Sequence, residues 1–158
     1  MPPIQPIISL VPNARAMFGH AQTALGRALV APAEPEPILA AFLFIHQLKD
    51  WDKPDGDHKF WAGCPFAQTI SEVANGTKHL TLKDPKLTSQ PHVSDMAVRA
   101  GMSGAIGGAP VGALPVGGSE PDYIVVRTRR NPTDVEQDFR ATDIVAEALR
   151  WWDAALQP

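Results

Sequence analysis

The segment from Tyr123 to Leu156, YIVVRTRRNPTDVEQDFRATDIVAEALRWWDAAL, changes its hydrophobic period partway along. From Tyr123 to Arg129 the pattern has a period of two. Ile124, Val126 and Thr128 fall on one side and Tyr123, Val125, Arg127 and Arg129 on the other, which predicts a β-strand. Asn131-Pro132 is turn chemistry. After Thr142, a candidate helix N-cap, the period becomes that of an α-helix. Ile144, Val145, Ala148, Leu149, Trp151, Trp152, Ala155 and Leu156 cover nearly half of that helix, and Glu147, Arg150 and Asp153 occupy the rest. An apolar face this wide predicts a helix wedged between neighbours.

Upstream of the strand, residues 101–119 contain seven glycines and no charged side chain. Before them Met96, Val98, Ala100 and Met102 alternate with polar or small residues. Together with Tyr123–Arg129 they predict a β-hairpin whose connection is a flexible glycine-rich segment. Three helical patterns precede the hairpin. Asn13 is placed to cap the first, whose stripe is Ala14, Met17, Phe18, Ala21, Leu25, Ala28 and Leu29. Pro32-Ala-Glu-Pro-Glu-Pro37 then makes a stiff connector, and Pro37 suits the first turn of a second helix that runs to about Trp51. Pro65 opens a third, with Phe66, Ile70, Val73, Thr77 and Leu80 on its apolar side. The expected fold is mainly α. It is a single domain over residues 1–158, an up-and-down four-helix bundle with a β-hairpin inserted before the last helix. Its core should be built from Phe18, Leu25, Phe42, Ile45, Phe66, Ile70, Trp151 and Trp152.

A chain of 158 residues buries about 70% of its unfolded surface on folding, enough for such a core. Fourteen basic and seventeen acidic side chains give a net charge of −3, which excludes a generally basic nucleic-acid coat. The single cysteine, Cys64, excludes an intrachain disulfide. No lysine or arginine precedes Arg15, and the longest apolar run is Ile38 to Ile45, far short of the roughly 20 residues that span a bilayer. A cytoplasmic protein without a membrane segment is therefore expected. Gly101 to Gly118 has no glycine-lysine-serine/threonine step and no dinucleotide fingerprint, so no cofactor is expected.

Candidate chemistry concentrates on the third helix. Gln68, Glu72, Asn75 and His79, spaced by four, three and four, share one stripe opposite the apolar side. A carboxylate and an imidazole on one stripe suit acid–base work or a divalent metal, and an ordinary solvated face gives the same pattern. His46 and Asp50, four apart on the second helix, offer a similar pair. Arg99, Arg127 and Arg129 on the hairpin could hold a phosphate, the one opening for a nucleic-acid ligand. Cys64 stands before Pro65 at a helix start, a position that can lower a thiol's pKa, although a free cysteine is more often a small buried group. Arg15-Ala-Met-Phe-Gly-His20 has the arginine-x4–6-histidine form of the HEPN ribonucleases. A spacing of five sets the two side chains about 140° apart on a helix, and Ala16 replaces the usual polar residue, so the match is read as chance.

Parts of the chain resemble a set of small uncharacterised bacterial and phage proteins that look like distant HEPN-type bundles. The likeness is carried by Leu48-Lys-Asp-Trp51, by the helix Ile70-Ser-Glu-Val-Ala-Asn-Gly-Thr-Lys-His-Leu-Thr-Leu82, and by a closing helix with Ala141-Thr-Asp-Ile-Val and Arg150-Trp-Trp. It covers residues 38–82 and 122–156 and implies a role for Asn75, Lys78 and His79. Two functions follow as expectations. The first is a homodimeric binding or assembly module. Its motive is the aliphatic arm at residues 1–12 (Ile4, Ile7, Ile8, Leu10 and Val11 among four prolines) together with the uncharged glycine-rich hairpin. The second is a ribonuclease or metal-dependent enzyme using Glu72, Asn75, Lys78 and His79.

Overall fold

Asn13 caps the first helix as its side chain suggests, its Oδ1 accepting the Ala16 N–H at 2.9 Å. A computed structural model describes residues 13–52, 61–79, 92–102, 119–131 and 133–157. Helix α1 is Ala14–Val30 and α2 is Pro35–Asp52. Helix α3 is Ala67–His79. Strands β1 (His92–Arg99), β2 (Tyr123–Arg129) and β3 (Gln137–Arg140) follow, and α4 (Ala141–Ala155) closes the chain. The fold is mainly helical, with a small antiparallel sheet before the last helix. No helix among the described residues is long and apolar enough to cross a membrane. The arm at 1–12 and the centre of the glycine-rich segment, 103–118, lie outside the described residues.

The proline connector is shorter than expected, because Pro35, Glu36 and Pro37 already belong to α2. Pro35 starts α2, where a missing N–H costs nothing. Helix α1 packs along α2, and α2 also meets α3 and α4. The shared core contains Phe18, Phe42, Ile45, Leu48, Ile70, Ile144, Val145 and Trp152. Leu25, Phe66 and Trp151, expected inside, are half-buried against it. Trp61 belongs to the core instead, with its ring 6.1 Å from that of Trp152.

The sheet has the order β1-β2-β3, so the expected hairpin carries a third strand. Asp95 faces Arg127, Ala97 faces Val125 and Arg99 faces Tyr123 across β1 and β2. A bulge between Val93 and Asp95 shifts the register. The inner side of the sheet presents Val93, Met96, Ile124, Val126 and Phe139 to the helices. Phe139 stacks edge-on against Phe66 at 5.0 Å. Phe66 holds φ at 60°, a strained value for a side chain of that size, directly before α3 begins. Helix α4 starts from the end of β3 with Arg140 in the capping position and no side-chain cap, so Thr142 does not play the expected part.

The ends of β1 and β2 are drawn together where the glycine-rich segment leaves them. The Glu120 N–H donates to the Met102 carbonyl at 2.8 Å, and the Gly101 N–H donates to Asp122 Oδ1 at 3.1 Å. Arg140 Nη2 reaches Glu120 Oε1 at 2.5 Å while its guanidinium lies over the Tyr123 ring, 4.0 Å from the centroid. Gly101 is required at this neck, because a Cβ there would meet the Glu120 carbonyl oxygen at 2.0 Å.

Candidate functional site

Helix α3 is polar in composition yet buried around most of its first two turns. Gln68, Thr69, Ser71 and Glu72 are all buried, alongside Ile70, Val73 and Ala74. One side faces α2 and the other faces β1, so the stripe of Gln68 and Glu72 is not the solvated surface that periodicity alone suggests. A polar group removed from water needs a partner inside the protein, and Ser71, Glu72 and the Gln68 Nε2 group have theirs. Ser71 Oγ accepts the Trp61 indole N–H at 3.1 Å.

Glu72 is the centre of the arrangement. Its side chain is 1% exposed. Oε1 accepts from Gln68 Nε2 at 2.7 Å and lies 2.6 Å from His92 Nδ1. Oε2 accepts the Val93 backbone N–H at 2.5 Å. An ionised carboxylate can only accept, so Nδ1 carries the proton in this pair and Nε2 is the nitrogen left for other work. The His92 side chain is 40% exposed. The carboxylate therefore fixes the imidazole from inside while its far edge meets solvent, a geometry suited to proton transfer.

His92 is the member that sequence reasoning missed. Glu72 was legible through its four-residue spacing from Gln68. Its histidine partner lies beyond Pro85 and Pro91, at the start of a strand, and no local period links the two. Of the other residues expected on the stripe, Asn75 is half-buried. Lys78 and His79 occupy the last turn of α3, and their side chains lie outside the described residues. His46 is buried, with the Trp61 ring edge-on at 6.4 Å, while Asp50 on the same helix is exposed, so the pair does not join the Glu72 cluster. Among the described residues no group of three His, Cys, Asp or Glu side chains comes together to hold a metal ion.

The three arginines do share the outer side of the sheet, but not as free cations. Arg99 Nη2 donates to Asp138 Oδ2, and Arg127 Nε donates to Asp138 Oδ1 at 2.8 Å. Arg127 also lies 3.5 Å from Glu136, and Arg129 lies 4.0 Å from it. The Arg127 hydrogen bond holds the Asp138 carboxyl below its ordinary range, and the same bond raises the arginine. With Asp95, Glu136 and Asp138 beside them, Arg99, Arg127 and Arg129 carry no excess charge for a phosphate, which removes the physical basis for that expectation.

Neither the Arg15–His20 spacing nor Cys64 builds a site. Arg15 pairs with Asp153 at 3.0 Å, donates to the Leu156 carbonyl at 2.8 Å and lies over the Phe18 ring. It ties the start of α1 to the end of α4, while His20 is an exposed ring beside Phe44, so the two form no joint site. Cys64 is buried, and burial followed by the nearby Glu147 carboxylate pushes its thiol well above the ordinary range, the opposite of an activated thiol. Comparison with family models, with curated proteins and with solved structures found no match.

Proposed function

We propose that this chain is a binding and assembly module that acts as a homodimer, its four helices forming an up-and-down bundle that supports a sticky sheet edge. The observation that carries this reading is β1. It is an edge strand among the described residues, and Val98 on it is 59% exposed. Ala97 beside it is also exposed, and Met96 is half-buried. These residues border an apolar recess of about 220 Å³ whose other walls are Pro35, Ile38, Leu39 and Ile124. An edge strand with open backbone groups and an apolar flank favours pairing with another strand. Light scattering and sedimentation over a wide concentration range test this. The mass should approach twice that of one chain, and Val98→Lys should return it to a monomer. A strict monomer at high concentration overturns the reading.

A second reading rests on Glu72 and His92. A buried carboxylate behind a half-exposed imidazole supports acid–base chemistry, such as RNA cleavage, on the polar side of α3, with His92 in the role expected of His79. Its test is RNA degradation by the wild type and by His92→Gln, with the metal content of each measured. Equal cleavage by the two proteins rules the reading out.

A further inference from the structure

We propose that β1 pairs antiparallel with β1 of a second copy about a twofold axis through Ala97; the inference rests on the self-association reading and specifies its geometry. The backbone supplies the first argument. The Ile124 N–H donates to the Pro32 carbonyl at 3.1 Å and so points away from β1. Ile124 faces Val98, which makes that pair a non-hydrogen-bonded one. The N–H and C=O of Val98, and of Met96 two residues earlier, are therefore directed away from β2, to the edge that no described strand covers. At the other end the edge is closed, because Glu72 already takes the Val93 N–H. The stretch available for pairing is Asp95-Met-Ala-Val-Arg99.

That stretch is complementary to itself. With the axis at Ala97, Asp95 of each copy faces Arg99 of the other, and Met96 faces Val98. Facing residues share a side of the sheet. Opposite charges then meet on the outer side, and apolar side chains meet on the inner side, over the recess of Ile38 and Leu39. Each Met96–Val98 pair exchanges two backbone hydrogen bonds, because these are the residues whose backbones point outward. Other axes lose this match. An axis between two residues sets an outward-pointing backbone against an inward-pointing one. An axis at Met96 sets Asp95 against Ala97, and one at Val98 sets Arg99 against Ala97. Arg99 also donates to Asp138, but its side chain is 45% exposed and a guanidinium has five donors to share.

Replacing Ala97 by cysteine tests the axis directly. Facing residues of a non-hydrogen-bonded pair have Cα atoms about 4.5 Å apart, within disulfide range. Ala97→Cys should form a covalent dimer under mild oxidation. Val98→Cys should not, since it faces Met96, and Cys64 is buried and does not compete. Charge reversal is the second measurement. Asp95→Arg alone and Arg99→Asp alone should each weaken the dimer about tenfold, and the two together should restore it. A dimer that gives neither the Ala97→Cys crosslink nor the charge-swap rescue overturns this register while leaving self-association standing. Absence of any dimer overturns both.

Discussion

Glu72 is worth more to this protein than its place in an apparently wet helix face suggests. Removing its carboxylate leaves the Val93 N–H, the Gln68 amide and the His92 Nδ1 without the acceptor they share. Leaving buried donors unsatisfied costs roughly 1–3 kcal/mol, and more where a charge was involved. Glu72→Ala should therefore lower stability by about 2–4 kcal/mol in urea unfolding, while His92→Gln, at a half-exposed ring, should cost clearly less. Cys64 gives a pH prediction of definite sign. Its thiol keeps its proton in the folded chain far above the ordinary value of 9.0, whereas the unfolded chain releases it near that value. Stability from this group is complete below about pH 9 and falls as pH rises beyond it, by about 1.4 kcal/mol per unit. Between pH 8 and 10 the wild type should lose about 1.4 kcal/mol more than Cys64→Ala in parallel urea titrations.

At the scale of elements, the glycine at the neck of β1 and β2 has the sharpest consequence. A Cβ at residue 101 would meet two backbone oxygens, those of Glu120 at 2.0 Å and Pro121 at 2.5 Å, and neither can rotate away. Gly101→Ala should cost about 1–3 kcal/mol and speed hydrogen exchange at the Glu120 amide. The same scale shows what was legible in the chain. Helices α1, α2 and α4 were readable because their apolar residues repeat with the helical turn and prolines bound the first two. Strand β2 was readable because its β-branched residues alternate. Strand β3 was not. Gln137-Asp-Phe-Arg140 is short, mostly polar and half exposed, and it becomes a strand only because β2 offers a partner edge. Trp61 follows a run of turn residues, so its place in the core has no local signal. The buried side of α3 was misread for a related reason. Here α3 buries its polar residues against β1, and periodicity reports only the contrast between faces, not what covers each.

Over the whole molecule, helices and sheet share one interior. Phe18 of α1, Phe42 of α2, Ile70 of α3, Val126 of β2 and Trp152 of α4 are members of a single buried cluster. Contacts this continuous should unfold together, so near- and far-ultraviolet dichroism should give coincident transitions in urea. Two separated transitions would mean that the sheet and the helices fold apart. The neck adds a consequence of its own. Residues 102 and 120 are hydrogen-bonded side by side, and the elements on either side are interleaved, since α4 from the later part lies against α1 and α2 from the earlier part. A polypeptide severed anywhere between 103 and 118 thus yields two fragments, each presenting half of a common interior. Co-expressed as separate peptides, they should find one another and reconstitute the native protein, which makes this neck a natural seam for a split reporter.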